Sequence, residues 1–193
     1  MADLVKAAGP LGPEDRRRGR PADAYGTLVR TIVGQQLSTK AARTIYARLT
    51  ALFSGRTPTP REILAADEEA LRAAGLSRSK VSYLRDLAGH VIDGELDLDA
   101  LHALPDEEVI GQITAVKGLG RWSADMFLMF HLGRPDVLPV GDLGIRRAVE
   151  RAYGLDGLPD SQTLHDIAAP WRPERTLACL YLWESLDNVP DPV

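Results

Sequence analysis

The chain has 193 residues, 45% of them hydrophobic, which suits one globular domain with one substantial core. The formal net charge of −4 disfavours a protein that coats nucleic acid through a broad basic face, so any such contact must be concentrated in a small area. A single cysteine, Cys179, excludes an intrachain disulfide, a cysteine-based zinc site and a four-cysteine iron–sulfur cluster.

The first part of the chain carries no targeting or membrane signal. No apolar run approaches the roughly 18 residues that a membrane span needs, and residues 1–21 lack the apolar core of a secretory signal. We therefore expect a cytoplasmic protein without membrane association. Residues 1–22 are predicted to form a flexible N-terminal arm with a basic cluster. The cluster consists of Arg16, Arg17, Arg18 and Arg20.

Helical periodicity begins after this arm. Apolar residues recur at three- and four-residue spacing over 25–33 and again over 42–53, which predicts two amphipathic helices. The polar segment Gly34-Gln35-Gln36-Leu37-Ser38 lies between them. It predicts an elbow at which Ser38 caps the second helix.

Helix signals continue through the rest of the chain, and the period-two alternation typical of a strand is nowhere sustained. Further helices are predicted to begin near Pro60, Asp67 and Ser77, and to cover 105–113, 121–132, 143–153, 161–168 and 173–186. The segments 122–130 and 177–183 are apolar on nearly all sides, so both should be central in the core. The sequence therefore predicts an all-α fold.

The segment Val116-Lys117-Gly118-Leu119-Gly120-Arg121-Trp122 joins two of the predicted helices through a turn with two glycines. Glycine tolerates positive φ and has no side chain, so the backbone N–H groups at Gly118 and Gly120 can approach an anion at a helix N-terminus. Glycines are also common at helix C-caps, so this turn alone does not identify a phosphate site.

A carboxylate follows a short way downstream, in Pro139-Val140-Gly141-Asp142-Leu143-Gly144-Ile145. Asp142 suits the N-cap position of the helix predicted after it, where the helix dipole stabilises an anion.

These two segments together resemble the hairpin and the catalytic aspartate of the helix-hairpin-helix (HhH-GPD) DNA glycosylases. Further landmarks resemble the 3-methyladenine DNA glycosylase II branch of that family: the elbow at 34–38, Gly75-Leu76-Ser77 with Lys80, and the stretch from Trp171-Arg172-Pro173 to Trp183. The resemblance covers about residues 23–185. It implies a single, compact, two-lobed all-α glycosylase domain over residues 1–193, with the hairpin at about 108–132.

The resemblance implies a monofunctional DNA glycosylase of base excision repair. Such an enzyme hydrolyses the N-glycosidic bond of alkylated purines, of the 3-methyladenine and 7-methylguanine type, and leaves an abasic site. Asp142 would be its catalytic residue, either as a charge opposite the cationic sugar or as the base that activates water. Bifunctional relatives carry a Schiff-base lysine where this chain has Trp122, and tryptophan cannot form an imine.

The resemblance also implies a base pocket formed by Trp122, Trp183 and Tyr25, whose rings can make cation–π contacts with a positively charged purine. All three also suit the apolar faces of their helices, so a core role is the alternative. Gln36 would fill the gap that a flipped base leaves in the duplex. Alternatively, Gln35 and Gln36 only cap helix ends.

The remaining implied contacts lie in the hairpin. The residues expected to bind DNA phosphates are Gly118, Gly120, Lys117 and Arg121. The carbonyl groups that match a family site for Na⁺ or K⁺ are those of Thr114, Val116 and Leu119. No cofactor is expected to be required, and an iron–sulfur cluster is excluded by the single cysteine.

The partner expected from the resemblance is double-stranded DNA that contains damaged purines, bound by a monomer, at the nucleoid if the organism is bacterial. The alternative function is a non-catalytic helix-hairpin-helix module that only grips DNA phosphates. The four histidines show no metal-ligand spacing.

Overall fold

A computed structural model describes residues 2–9, 11 and 23–186, and every regular element among them is a helix. The α-helices are α1 (Ala2–Ala8), α2 (Ala24–Gly34), α3 (Thr39–Ala51), α4 (Pro60–Ala65), α5 (Glu68–Ala73), α6 (Arg78–Ile92), α7 (Asp106–Ala115), α8 (Arg121–Phe130), α9 (Leu143–Tyr153), α10 (Ser161–Ala168) and α11 (Arg175–Glu184). Short 3₁₀ helices cover Leu101–Ala103 and Ala169–Trp171. The predicted all-α class is confirmed, and none of the described helices is long and apolar enough to cross a membrane.

The helices begin where short polar side chains can accept a backbone N–H three residues ahead. Ser38, Asp67 and Ser77 do this for α3, α5 and α6, at 3.3, 2.9 and 3.2 Å. Thr59 and Glu62 form a reciprocal capping box at the start of α4. These starts are local in origin, which is why the sequence predicts them.

The chain divides into two units. Among the described residues, the first unit, called here the Asp142 unit, consists of residues 2–9, 11 and 125–186, and the second, called the hairpin unit, consists of residues 23–124. Helix α8 begins in the hairpin unit and ends in the Asp142 unit.

In the hairpin unit, α6 packs against α2, α4 and α5, and α2 packs against α3. The largest buried side chains of this core are aliphatic and include Leu28, Ile32, Leu49, Leu84 and Leu87. Their burial stabilises the unit by about 1.5–3 kcal/mol for each side chain, before the opposing conformational entropy.

In the Asp142 unit, α11 packs against α9 and α1. Residues 178–183 of α11 are all buried, so the predicted central position of this segment is confirmed. The prediction for α8 holds from Ser123 to Phe130, which are buried, but not for Trp122, whose exposed fraction is 37%.

The N-terminal arm differs from its prediction in one respect. Residues Ala2–Ala8 form α1, which packs against α11, so the arm predicted as flexible over 1–22 begins with a helix. The hydroxyl of Tyr181 on α11 accepts the N–H of Leu11 at 3.2 Å. The arginine cluster at 16–20 lies outside the described residues.

Candidate active site

Asp142 occupies the position just before α9 and caps that helix. Its Oδ1 accepts the N–H of Ile145 at 2.8 Å, and its own N–H donates to the carbonyl of Pro139 at 2.9 Å. The side chain is largely enclosed, with 9% of the residue exposed. The predicted N-cap role is therefore confirmed, and it places a carboxylate at a helix end that interacts favourably with negative charge.

Trp183 of α11 provides the second contact to this carboxylate. Its indole N–H donates to the same Oδ1 at 3.0 Å, and its ring stacks against Phe130 with centroids 5.9 Å apart. Trp183 is only 1% exposed. One carboxylate oxygen thus accepts two N–H groups from two helices, which fixes its orientation.

Gly144 leaves room for this pair. A Cβ at this position would lie 3.0 Å from Oδ1 of Asp142 and 3.2 Å from Nε1 of Trp183. Interiors packed at protein density have little slack, so a side chain here would displace one partner or the other. The sequence gives no sign of this role, because an ordinary helix tolerates any small residue in its first turn.

The segment that leads to Asp142 is anchored by the first turn of α11. The Arg175 guanidinium donates to both carboxylate oxygens of Asp136, at 2.6 and 3.1 Å, and to its carbonyl at 2.7 Å. The buried hydroxyl of Thr176 accepts from the N–H of Val137 and donates to the carbonyl of Arg134. Neither contact was foreseen from the sequence, since 39 or more residues separate the partners.

Burial would raise the pKa of Asp136, but the hydrogen bond from Arg175 and the charges of Arg175 and Arg172 hold it below its usual value. Cys179 faces the same segment, with its sulfur 4.0 Å from the carbonyl of Val137. Burial, followed by the charge of Asp142, raises the pKa of its thiol. Cys179 is therefore a buried core residue whose thiol is held in its neutral form.

In the hairpin unit, the turn between α7 and α8 has one buried side and one exposed side. Val116 and Leu119 are buried, whereas Lys117, Gly118 and Gly120 are exposed. Of the two hairpin glycines, only Gly118 has a positive φ, +82°. The ring of Tyr83 lies against Gly118 so closely that a Cβ there would collide with it.

Arg121, predicted to bind phosphate, forms an ion pair with Glu107 at 3.3 Å. Both side chains are more than half exposed, and such surface pairs contribute about 0–1 kcal/mol, so a phosphate can replace Glu107 at little cost.

The carbonyls predicted to face a cation lie at the end of α7 and in the hairpin turn. That of Val116 accepts the N–H of Leu119 at 3.1 Å and keeps a second lone pair. Carbonyls at a helix C-terminus carry partial negative charge, which favours a cation near the end of α7, and the cation site stays a prediction. The described residues contain no cluster of histidine, cysteine or carboxylate side chains that could hold a metal ion.

The elbow between α2 and α3 is exposed at its tip and contacts the hairpin. Gln36 has φ of +58°, a conformation that non-glycine residues seldom adopt, and its side chain is exposed. Gln35 ends α2 and donates from Nε2 to the carbonyl of Gly118 at 2.7 Å. The sequence predicts both glutamines in the elbow but not this contact.

The aromatic residues predicted for the pocket differ in their surroundings. Trp122 is partly exposed at the start of α8, whereas Tyr25 is buried in α2 and its hydroxyl has no hydrogen-bond partner among the described residues. Burial raises the pKa of Tyr25. Trp183 differs from both, because its N–H is engaged by Asp142 and its ring lies in the core.

The structure thus brings Asp142 and Trp183 into contact in one unit and the elbow and hairpin into contact in the other. Trp122 and Tyr25 belong to the hairpin unit. Sequence reasoning missed the roles of Gly144, Asp136 and Arg175. It singled out Lys80 as part of a family landmark, but it indicated neither the contacts of Lys80 nor those of Tyr83 and Asp86 on the same helix.

Comparison with known proteins gives one family. The model of the HhH-GPD superfamily base excision DNA repair proteins matches residues 29–173. The chain is 35% identical to DNA-3-methyladenine glycosylase 1 of Schizosaccharomyces pombe over 184 residues, 94% of this chain and 80% of that protein.

Several solved structures are similar over nearly the whole chain, including the following two. One is the 3-methyladenine DNA glycosylase of Schizosaccharomyces pombe in complex with abasic DNA, with a TM-score of 0.85, 34% identity, and coverage of 96% of this chain and 90% of that one. The other is a DNA-3-methyladenine glycosidase from Bacillus halodurans, with a TM-score of 0.83, 39% identity, and coverage of 95% and 82%.

Proposed function

Since the chain belongs to the HhH-GPD superfamily of base excision DNA repair proteins, we propose that Asp142 is the catalytic carboxylate with which it hydrolyses alkylated bases from DNA. The chain is a base excision repair glycosylase of the DNA-3-methyladenine type, a hydrolase of the N-glycosidic bond, and DNA is its substrate. The observation that carries the residue assignment is the carboxylate held by two N–H donors at the start of α9.

The reaction breaks the bond between C1′ of the sugar and the purine nitrogen and forms a bond from C1′ to a water oxygen. Positive charge develops on the sugar as the base departs, and a fixed carboxylate stabilises that charge most when it does not have to reorient. A purine methylated at N3 or N7 is cationic and leaves as a neutral base, so no general acid is required. The proton of the water passes to Asp142 or to solvent.

We further propose that alkylated purines are the preferred lesions and that Trp122 and Tyr25 contact the flipped base. The partly exposed indole of Trp122 can stack on a cationic purine, a contact of about 0.5–2 kcal/mol. The unpaired hydroxyl of Tyr25 can hydrogen-bond a ligand. For Trp183 we propose a positioning role through Asp142 in place of the predicted pocket wall, because its ring is buried.

The remaining expectations from the sequence are also proposals. These are Gln36 as the gap-filling residue, the hairpin as the phosphate grip with a monovalent cation on its carbonyls, a monomeric state and a cytoplasmic location. The exposure of Gln36 and of the hairpin glycines supports the first two.

The substitution Asp142→Asn tests the assignment. The amide keeps an oxygen that can accept from Ile145 and Trp183, so the fold should survive while the charge is lost. We expect the release of methylated purines from alkylated DNA to fall by at least about a hundredfold, with DNA binding retained. The measurement is single-turnover base release alongside binding of the same DNA.

A matched control is Asp160→Asn, because Asp160 caps α10 in the same unit and accepts from Thr163 at 2.8 Å. It should release base at the wild-type rate. Unchanged release by Asp142→Asn would refute the catalytic role, and a wild-type protein that binds but releases nothing would favour the non-catalytic module.

A further inference from the structure

One face of α6 contacts both the elbow and the hairpin. Lys80, Tyr83 and Asp86 follow one another at three-residue spacing, so each lies next to the following one on the helix surface. We propose that they form a strut that holds the elbow (34–38) and the hairpin (116–120) in one fixed arrangement, with Lys80 as the positioning residue for base flipping. The inference rests on the proposed function, because it assumes that the elbow enters damaged DNA.

Lys80 holds the elbow by binding the end of α2. Its ammonium donates to the carbonyls of Val33 and Gln35 at 2.6 and 2.8 Å. Helix C-terminal carbonyls have no partner within the helix, and an ammonium satisfies them with charge-assisted bonds. The ammonium bridges these two carbonyls across the last turn of α2. This bridge fixes the point at which the chain leaves the helix.

Gln36 is the next residue after Gln35, and its backbone conformation is strained. A φ of +58° in a residue that is not glycine persists only where the surrounding structure determines it. Its side chain is exposed, so the carbonyl and side-chain bonds of the preceding Gln35 set the direction in which Gln36 leaves the helix. Without Lys80 the last turn of α2 can fray and the elbow can relax.

Tyr83 and Asp86 hold the hairpin from the same helix. Asp86 accepts the N–H of Lys117 at 2.7 Å, and the ring of Tyr83 fills the space beside Gly118. The side chain of Gln35 adds a direct contact between the elbow and the hairpin by donating to the carbonyl of Gly118. The elbow and the hairpin therefore share one support, and a shift of either changes the position of the other.

This support matters for a duplex substrate and little for a single strand. In a duplex, the flipped base leaves a gap that the elbow must fill while the hairpin holds the backbone. In a single strand there is no stacked partner to replace. Loss of the strut should therefore slow base release from duplex DNA selectively, which a general loss of stability would not do.

The test compares Lys80→Met with the wild type on one oligonucleotide carrying a single 7-methylguanine, as a duplex and as a single strand. We expect single-turnover release to fall about tenfold or more on the duplex and less than about threefold on the single strand. The control is Lys6→Met, which removes the same charge from an exposed position on α1 and should change neither rate.

A 2-aminopurine opposite the lesion reports flipping without chemistry, and its fluorescence rise on binding should be smaller for Lys80→Met. Gln35→Ala is a second variant that keeps Lys80 and removes only the side-chain bond to Gly118; it should show the same selectivity if Lys80→Met does not fold. Equal losses on both substrates, or full wild-type flipping in either variant, would overturn the strut. A wild type that flips but releases no base would contradict the proposed function alone.

Discussion

Gly144 is the residue at which the packing around Asp142 leaves least space. The ideal Cβ position is 3.0 Å from the carboxylate oxygen and 3.2 Å from the indole nitrogen that binds it. A methyl group there must push the carboxylate, the indole or α9 by a few tenths of an ångström. Fixed catalytic groups tolerate such shifts poorly, because a displacement of about 1 Å can cost about a hundredfold in rate.

We therefore predict that Gly144→Ala lowers single-turnover release of methylated purine by about tenfold or more, while DNA affinity stays near the wild-type value. The matched control is Gly141→Ala, since Gly141 lies three residues earlier and its Cβ would meet nothing within 4 Å. Equal rates for the two variants would show that the space beside Asp142 is not critical.

Trp183 shows how one residue type can suit two roles. An indole in a helix near the site fits a base pocket, and the resemblance implies that role. In the structure its polar atom is bound to Asp142 and its ring lies against Phe130. A buried indole N–H needs an acceptor, and the carboxylate supplies one.

At the scale of elements, the first turn of α11 holds the segment before Asp142. Asp136 receives the Arg175 guanidinium on both oxygens, and Thr176 binds the backbone on either side of it. The lowered pKa of Asp136 makes this anchor sensitive to acid. A carboxyl whose pKa is lower in the folded than in the unfolded chain stabilises the fold above its unfolded pKa and loses that contribution as the pH falls through its folded value.

We predict that Asp136→Asn lowers the thermal midpoint at pH 7 and that the difference from the wild type shrinks as the pH falls below the ordinary value of 3.8. Thermal unfolding followed by circular dichroism at several pH values measures this. The control is Asp156→Asn, which replaces an exposed aspartate in the same unit. A difference of the same size at pH 7 and at pH 3 would contradict the ion-pair explanation.

At the scale of the whole molecule, the charge balance limits how the chain can bind DNA, because 27 acidic side chains outnumber 23 lysines and arginines. Lys117 and Arg121 are exposed in the hairpin and are the cations that we expect to contact phosphates. The sequence contains four lysines, and the one in the hairpin, Lys117, is five residues before the position where a Schiff-base lysine would stand.

We predict that borohydride traps no covalent adduct with DNA while base is released, and that the abasic strand is not nicked. Tryptophan at position 122 cannot form the imine that a lyase needs. Gel analysis after borohydride treatment, with base release measured in the same reaction, checks this. An adduct that Lys117→Ala abolishes would instead assign covalent chemistry to the hairpin.

Sequence patterns alone predict helices α2 to α11, the caps at Ser38 and Asp142 and the hairpin, but they do not predict α1. These features depend on interactions within a few residues, such as a side chain that accepts an N–H three positions ahead. The family motifs added the site residues, and the cap at Asp142 agreed with them. Local patterns did not indicate that Trp122 is partly exposed, since the residues that follow it on α8, Ser123 to Phe130, are all buried.

Which side chains contact each other depends on the packing of the helices and could not be predicted from the sequence. Trp183 reaches Asp142 across 41 residues, Lys80 reaches the end of α2 across 45 and 47, and Arg175 reaches Asp136 across 39. Such contacts depend on which faces of two helices pack together and on how far the helices are shifted along their axes. Many packings share the same hydrophobic period, so the pattern of apolar residues predicts the helices and leaves their partners open.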